Sequence, residues 1–530
     1  MPQISSNAKG GTIRWDADDW LSGLTPDWGL NETETTIGKG FSTSTGIDPF
    51  RRPGYLSPGY DPLSATNNSV IDAMQKNGVV YGTDAFTVGG DKLHKMAILT
   101  TTLTNDATFP HAISAHGGHS GVVSSDIILY YLGTTRYAFY SWSDGTDGDV
   151  GRFNLTSTFY DDWLSNGESG SNKPANFAVL DTTNPHPMIV GADDILYIAD
   201  GRKLHALDGQ TGANGTLSKS RLTLPTDSII TSFAKTGDNL VIFAYKSSSS
   251  SSGSYYKGEC AAYFWDYSSE DPWKVVPIPG NYVNGGFSMS GTVGCFVQGA
   301  AALLNSSGKQ SRLFMYDGSV FTPKVGFIDN IPGHGGVEVI DNVVYWNAGS
   351  YIYQYGSPHL GLNGALNRIT KLDGSTSEGM LRNFANTTMV GSAGTTTAGG
   401  MQKVNSGYYA GTCITPTVNL PFQPDTQARI KMVKVFWYAP KTAGSNKLQL
   451  KVLVDRAQNN STIIDTTGSV GDDRQSPPAS CVSIYRDEYD ATGFPTASAM
   501  ALQLTYSEVD ATKLPAIIQA VEVNFVYENI

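Results

Sequence analysis

From about residue 78 to residue 420, short apolar strands alternate with tight turns. Two strands joined by a Gly or Asp-Gly turn are typical of a β-hairpin. Such pairs lie in segments of roughly 40 to 50 residues, which suits one four-stranded blade each. The pattern predicts an all-β fold with a six- or seven-bladed β-propeller over residues 78–420; a β-helix or stacked sandwiches are the alternatives. The clearest pairs are TVGGDKLHKMAIL (87–99), LYYLGTTRYAFYSW (129–142), ILYIADGRKLHALDG (195–209), RLFMYDGSVFTPKVG (312–326) and VVYWNAGSYIYQYG (343–356).

The pattern changes after the Pro-Phe-Gln-Pro sequence at 421–424. Longer strands follow, and several place an apolar residue at every second position, as at 448, 450, 452 and 454 in LQLKVLV and at 521, 523, 525 and 527 in VEVNFVY. Alternation with a period of two is typical of strands with one buried face. Residues 421–530 are therefore predicted to form a C-terminal β-sandwich.

Residues 1–77 show little regular pattern but contain many aromatic residues and turn formers, as in WDADDWLSGLTPDWG and DPFRRPGYLSPGYDP. This segment is too apolar for a solvated tail and too rich in Gly and Pro for a domain of its own. We expect an extended N-terminal arm that lies against its own propeller or against a neighbouring subunit. A disordered terminus is the alternative.

Composition and charge narrow the functional classes. Only 16% of the residues are charged, the chain contains 58 Gly and 27 Tyr, and the formal net charge is −12. The absence of a basic segment argues against tight binding to phosphates, although DNA as a passing cargo is compatible with an acidic wall. No apolar stretch is long enough to span a membrane, and the first residues lack the features of a secretory signal.

Three acidic residues form the first candidate site. Asp144, Asp147 and Asp149 lie in the Gly-rich sequence SWSDGTDGDVG. Closely spaced carboxylates on a loop are suitable ligands for Ca²⁺, but the spacing is not that of an EF-hand. An acidic solvated turn between strands is the alternative.

Histidines and cysteines supply weaker candidates. His111, His116 and His119 lie close together in HAISAHGGHS, but no carboxylate or cysteine completes a metal motif, so ordinary loop histidines are expected. The four cysteines are Cys260, Cys295, Cys413 and Cys481; they are far apart in the chain and are expected to be buried thiols.

No catalytic motif is recognisable. Paired carboxylates occur at 161–162, 193–194 and 472–473, but adjacent residues of a strand point to opposite faces and make poor acid/base pairs. The chain contains no nucleophile elbow, P-loop or dinucleotide fingerprint. We therefore expect no enzymatic activity and no cofactor other than the Ca²⁺ considered above.

Aromatic residues are densest in GSYYKGECAAYFWDYSSEDPW at 253–273. Exposed Tyr and Trp rings stack on sugars, as in lectin-like propellers. Packing between neighbouring blades explains the same residues, and both interpretations remain open from the sequence.

The order of parts resembles that of propeller-bearing virion structural proteins of tailed bacteriophages, and more narrowly of tail nozzle proteins. The resemblance rests on the Trp- and Pro-rich start, the irregular Asp-Gly hairpins such as MYDGSVFTPKVG, and the terminal strand AVEVNFVYENI. It covers most of the chain without a diagnostic motif, and this chain is short for such a protein.

The resemblance implies a structural tail protein, located in the virion and assembled in the host cytoplasm. Its copies would form a homo-oligomeric ring that extends the DNA exit channel, in contact with adaptor or portal proteins and with fibres, and DNA would pass without specific binding. A host-surface glycan-binding tail protein is the second reading, and a propeller glycosidase or lyase is the third.

Overall fold

The structure is a computed structural model of the 530-residue chain. It describes residues 3–7, 9–21, 23, 41–50, 55–64, 75–89, 91–97, 102–103, 108–113, 122–165, 173–212, 214–248, 255–299, 311–327, 329–357, 364–371, 376–382, 388–393, 400–408, 411–415, 418–419, 426–438, 447–454, 459–465, 485–490, 496–497, 499–507 and 517–529.

The chain divides into two compact units, and both are built from strands. The first unit comprises Met1–Pro62, Tyr351–Lys371 and Val404–Ile530, and the second comprises Leu63–Ser350 and Leu372–Lys403. Within the described ranges the one α-helix is the single turn α1 (Ala17–Trp20). The predicted all-β class is confirmed.

The second unit contains a series of antiparallel sheets in which each strand pairs with the next one along the chain. The first sheet is β5 (Gln75–Tyr81), β6 (Asp84–Gly89), β7 (Lys92–Ala97) and β8 (Thr102–Leu103), with β9 (His111–Ala112) also on β7. The second is β10 (Val123–Leu132), β11 (Thr135–Ser143), β12 (Gly148–Phe153) and β13 (Phe159–Tyr160). The third is β14 (Met188–Val190), β15 (Leu196–Asp200), β16 (Lys203–Asp208) and β17 (Thr216–Thr223).

The series continues with two further complete sheets and two hairpins. The fourth sheet is β18 (Ser228–Thr236), β19 (Asn239–Ser248), β20 (Tyr255–Trp265) and β21 (Lys274–Pro279). The fifth is β22 (Tyr282–Met289), β23 (Thr292–Gln298), β24 (Ser311–Tyr316) and β25 (Phe321–Phe327). The hairpins are β26 (Val337–Ile340) with β27 (Val343–Ala348), and β30 (Thr376–Arg382) with β31 (Thr388–Ala393).

The first strands of these sheets and hairpins form a closed ring. Each contacts the first strand of the next, and the last contacts the first, in the order β5, β10, β14, β18, β22, β26, β30 and back to β5. A circle of radially arranged antiparallel sheets is a β-propeller. The predicted propeller is therefore confirmed, with seven first strands in the ring that the described part of the unit forms.

The hairpins follow from the turn residues identified in the sequence. Leu132 pairs with Thr135 across Gly133, and Asp200 pairs with Lys203 across Gly201. Both glycines have positive φ, 56° and 58°, a conformation that L-residues with a side chain rarely adopt. The predicted hairpins at 129–142 and 195–209 are thus confirmed.

The core of this unit lies between the faces of neighbouring sheets. Trp163 is buried between the second and third sheets, Trp265 between the third and fourth, and Phe243 between the fourth and fifth. Complete burial of one such side chain contributes about 2–3 kcal/mol. The aromatic residues therefore hold the sheets against one another.

The outer edge of the fourth sheet is protected by proline. Pro277 and Pro279 lie in β21, the outermost strand of that sheet, and both side chains are exposed. Proline has no N–H to offer to an incoming strand, so this edge is a poor template for pairing with another chain.

The first unit contains two sheets, and each combines strands from the N-terminal part of the chain with strands from the C-terminal part. One has the order β1 (Gln3–Asn7), β2 (Gly10–Trp15), β41 (Ile517–Asn529), β35 (Thr426–Tyr438), β38 (Tyr485–Asp490), with β39 (Thr496–Ala497) on β35. The other has the order β3 (Thr43–Thr45), β33 (Thr412–Ile414), β40 (Ala499–Ser507), β36 (Lys447–Val454), β37 (Asn459–Asp465), with β34 (Val418–Asn419) on β40. This unit also contains the hairpin β28 (Tyr351–Gly356) and β29 (Ala365–Lys371), whereas β4 (Tyr60–Ser64) and β32 (Gly400–Tyr408) include residues of both units.

The two sheets of the first unit have the alternating burial that their sequences predict. Val521, Val523 and Phe525 are buried, and the residues between them are only partly so. Leu56 connects the sheets: it pairs with Ile518 of the first, and its carbonyl accepts a hydrogen bond from the Tyr506 hydroxyl of the second at 3.0 Å.

The segment expected to be an N-terminal arm contributes strands to these sheets. β2 pairs with β41, and the Trp20 indole donates a hydrogen bond to the Gln519 carbonyl at 2.8 Å. The expected boundary at residue 77 falls inside β5, so the units do not coincide with the predicted segments 1–77, 78–420 and 421–530. In the first unit, strands that are far apart in the sequence pair with each other. A division into consecutive segments therefore cannot describe this unit.

Candidate functional site at one end of the ring

A pocket of about 760 Å³ opens at the end of the ring where the first strands begin. Its walls come from five successive positions around the ring: the start of β10, the segment before β14, β18, β22, and the segment before β26. The β11–β12 turn and the end of β27 complete the rim. A concave site to which many elements contribute is the usual form of a ligand site.

The floor of the pocket is a segment that reaches across the ring, Asp329–Gly336, here called the cross-ring segment. His334 Nε2 lies 3.1 Å from the Met188 carbonyl of β14 and 3.3 Å from Asp126 Oδ2 of β10. The segment precedes β26, the sixth position of the ring, whereas β10 and β14 are the second and third. The imidazole therefore joins opposite sides of the ring.

Glycine allows the cross-ring segment to lie close to β22. Gly285 has a φ of +59°, and a Cβ atom there would lie 3.0 Å from Pro332 Cγ and 3.1 Å from the Pro332 carbonyl oxygen. A larger residue at position 285 would be strained by its backbone conformation and would also press on the segment.

Asp126 is the anchor to which the cross-ring segment is attached. Its side chain is buried, at 4% exposure, and lies at a bulge in β10. Asp126 Oδ1 accepts a hydrogen bond from Ile127 N at 2.8 Å, and Oδ2 accepts one from Met188 N at 2.6 Å. One carboxylate thus links β10, β14 and the segment before β26.

This arrangement favours the protonated form of His334. Burial by itself lowers the pKa of the imidazole, but the Asp126 carboxylate and the Met188 carbonyl outweigh burial and raise the pKa above its ordinary value. Both acceptors face Nε2, so Nε2 carries a proton in either charge state.

The pocket walls combine polar and apolar groups, and no Lys or Arg is among the described lining residues. Asp144 lies on the rim, and its Oδ1 accepts hydrogen bonds from Thr146 N at 2.7 Å and Asp147 N at 2.6 Å. Asn284 Nδ2 donates to the Tyr282 hydroxyl at 2.9 Å on the opposite wall. The rim therefore offers a carboxylate, an amide and a phenol ring.

The three carboxylates predicted as a calcium site are not gathered into one cluster. Asp144 stabilises the β11–β12 turn, whereas the Asp149 carboxylate is buried in the sheet and accepts hydrogen bonds from Val150 N at 2.6 Å and Leu164 N at 3.1 Å. Burial raises the pKa of Asp149 well above its usual range. Among the described residues no group of three or more His, Cys, Asp or Glu side chains is placed to hold a metal ion. Calcium binding by Asp144, Asp147 and Asp149 remains a prediction.

The histidine cluster is only partly described. His111 Nε2 lies 2.8 Å from Asp161 Oδ1, and its ring stacks on Phe159 at 3.8 Å. The Tyr140 hydroxyl donates to the same Asp161 oxygen at 2.5 Å. His116 and His119 lie outside the described residues.

The paired carboxylates at 161–162 and 193–194 are described, and the contacts seen for them are ones that stabilise the fold. Asp161 pairs with His111 and accepts the hydrogen bond from the Tyr140 hydroxyl, and its neighbour Asp162 is buried. Asp193 accepts a hydrogen bond from the Tyr197 hydroxyl at 2.6 Å. The pair at 472–473 lies outside the described residues.

The aromatic stretch at 253–273 serves mainly for packing. Tyr263, Phe264 and Trp265 are at most 5% exposed, and Trp265 contacts the ring of Tyr197 edge-on at 5.5 Å. Trp273, in contrast, is 57% exposed, and its indole donates to Asn239 Oδ1 at 2.8 Å. Inter-sheet packing thus accounts for the buried rings.

Sequence reasoning missed Asp126 and His334, the pair that forms the centre of the site. Asp126 is a single acidic residue at the start of an apolar strand, and His334 is a single histidine among glycines in IPGHGG. Neither belongs to a spaced motif. A lone His in a Gly-rich connection between two strands was the available signal.

No protein-family model and no curated protein matches the chain. Solved structures with a similar fold include the Dos1 propeller (9% identity, 65% of this chain and 95% of that one, TM-score 0.42) and Drosophila semaphorin 2a (6% identity, 77% and 91%, TM-score 0.43). An exo-β-1,3-galactanase from Phanerochaete chrysosporium, in a structure with galactose, is also similar (11% identity, 87% and 100%, TM-score 0.30). Similarity at this level does not indicate a function for this chain.

Proposed function

We propose that this protein is a structural component of a tailed-phage virion, a nozzle or tube protein whose copies form a ring that extends the DNA exit channel. The proposal rests on the order of parts in the sequence, and the structural observation that supports it is the closed ring of first strands. A ring of sheets is a rigid body that leaves few free edges.

The outermost strand of the fourth sheet is compatible with a protein that assembles through specific contacts and not through pairing of exposed strands. Pro277 and Pro279 make the outermost strand of the fourth sheet unsuitable for accidental strand pairing. The net charge of −12 suits a wall past which DNA slides without sticking.

The cross-ring segment sets the route that DNA takes in this proposal. His334 joins opposite sides of the ring through Asp126 and Met188, so the centre of one propeller is occupied by protein. DNA would therefore pass through a channel enclosed by several copies, and not along the axis of a single propeller.

Assembly and location in the particle test this proposal. Mass photometry of the purified full-length chain, alone and with the other tail proteins of its source phage, is expected to show a closed oligomer of one size. Negative-stain imaging of particles labelled with an antibody to this chain is expected to place the label on the tail. A monomer under all conditions together with unlabelled tails would refute the proposal.

A glycan-binding tail protein is the second candidate, and the pocket at the end of the ring is the observation that favours it. Its volume of about 760 Å³ and its mixture of carboxylate, amide, hydroxyl and apolar groups suit a sugar. Binding to a glycan array by the wild-type chain, lost on substitution of a pocket residue, is the test.

The third reading, a glycosidase or lyase, requires two carboxylates that converge on the substrate. Of the described lining residues, Asp144 is the only one with a carboxylate. Hydrolysis or elimination of a polysaccharide by the purified chain, abolished in Asp144→Asn, would restore this reading.

A further inference from the structure

The charges around the pocket restrict the class of sugar that it accepts, an inference that rests on the second candidate function. We propose that the pocket binds an uncharged saccharide end and rejects sugars that carry a carboxylate, such as uronates and sialic acids. The residues that set this preference are Asp144 at the rim and His334 in the lining, whose imidazole pairs with the buried Asp126.

The charge balance is negative in both protonation states of the floor. When His334 is protonated, its charge and that of Asp126 cancel, and the Asp144 carboxylate remains. When His334 is neutral, the charge of Asp126 is added to that of Asp144. No Lys or Arg belongs to the described lining, and His334, which does, already has Asp126 as its carboxylate partner, so an anionic ligand would meet the Asp144 carboxylate without an unpaired cation.

The walls have the two kinds of surface that a pyranose ring requires. Tyr282 is partly exposed and presents an aromatic ring, against which the C–H face of a sugar packs; Pro187 and Pro332 also line the pocket but are buried. Asp144 and Thr183 present oxygen atoms suited to hydroxyl groups. Hydroxyl groups donate to carboxylates in charge-assisted hydrogen bonds, so the same Asp144 that repels an acid favours a neutral polyol.

Matched pairs of sugars that differ only in a carboxylate provide the test. Isothermal titration calorimetry with the full-length chain would compare methyl glucoside with methyl glucuronide, and sialyllactose with the methyl ester of its carboxylate, after a glycan array has identified the terminal sugar. The neutral member of the pair is expected to bind at least ten times more tightly than the acidic one.

Two substitutions assign the preference to the pocket. In Asp144→Asn the amide oxygen still accepts the turn hydrogen bonds from Thr146 and Asp147, so the fold is expected to persist while the charge is removed. Binding of the acidic sugar should then increase at least fivefold relative to the neutral one. The matched control is Asp317→Asn, because Asp317 accepts the same kind of turn hydrogen bonds, from Ser319 N and Val320 N at 2.9 Å each, and does not line the pocket.

A second variant tests whether the sugar occupies this pocket at all. Tyr282→Ala, with its fold checked by circular dichroism, should abolish binding, whereas Trp273→Ala at an exposed ring outside the lining should not.

Each other outcome refutes a defined part of the reasoning. If the wild-type chain binds acidic sugars as well as neutral ones, or if Asp144→Asn leaves the ratio unchanged, the charge argument is wrong although the protein still binds glycans. If no sugar on the array or in the titrations binds, the glycan function itself fails, and the inference fails with it.

Discussion

Replacement of Asp126 by Ala is expected to destabilise the propeller strongly. The substitution leaves two buried backbone donors, Ile127 N and Met188 N, without their acceptor, and it also removes the carboxylate that pairs with His334. A buried donor that loses its acceptor costs about 1–3 kcal/mol, so the two donors give a loss of about 2–6 kcal/mol in the free energy of unfolding. Urea unfolding followed by tryptophan fluorescence measures this loss.

The control is Asp317→Ala, which removes a carboxylate with two backbone hydrogen bonds from an exposed turn. Water replaces that acceptor, so the unfolding midpoint should change little. If Asp126→Ala does not yield folded protein, Asp126→Asn serves instead. Its side-chain amide keeps one acceptor oxygen, so its unfolding midpoint should lie between that of the wild type and the midpoint expected for Asp126→Ala. Equal midpoints for Asp126→Ala and Asp317→Ala would refute the role given to Asp126.

The same pair predicts a dependence of stability on pH. The pKa of His334 is raised in the folded state, so the protonated imidazole stabilises the fold fully below its ordinary pKa of about 6.5, and this contribution is lost as the pH rises through the folded value. The difference in unfolding free energy between wild type and His334→Gln should be larger at pH 6 than at pH 9. A difference that is constant or increases with pH would contradict this account.

Two further predictions concern the outer surface and the core. Replacement of Pro277 and Pro279 by Thr restores N–H groups to an edge strand, so the double variant is expected to self-associate in size-exclusion chromatography, whereas the wild type keeps its elution volume at the same concentration. In a Cys481→Ser background, Cys260 and Cys295 should resist alkylation until the chain is unfolded, because both are buried and burial raises the pKa of Cys260 to about 12. Modification of either thiol in the native protein, detected by mass spectrometry, would show that the packing between the fourth and fifth sheets is wrong.

Local features of the propeller were predictable from the sequence because they depend on neighbouring residues. The turns at Gly133 and Gly201 and the alternation at 521–525 require only the short-range preferences of glycine and of apolar residues. The pairing of β2 with β41 depends on strands from the two ends of the chain. The large apolar residues of β2 are only Ile13 and Trp15, and these two do not specify which strand β2 pairs with.

The candidate site was less predictable than the fold. Asp144 was predicted as a possible calcium ligand, with an acidic turn as the alternative, and the structure places it on the pocket rim. His334 and Asp126 acquire their roles because the ring brings the segment before β26 opposite β10. Ring closure is a long-range property, and no spacing of residues along the chain encodes which side chains meet across it.

A reconstruction of the intact source particle by electron cryo-microscopy tests the central claim most directly. We expect several copies of this chain around the DNA channel of the tail, each with a ring of sheets whose centre is filled by the cross-ring segment. Particles without this chain in the tail, or a propeller whose own open centre carries the DNA, would contradict the account.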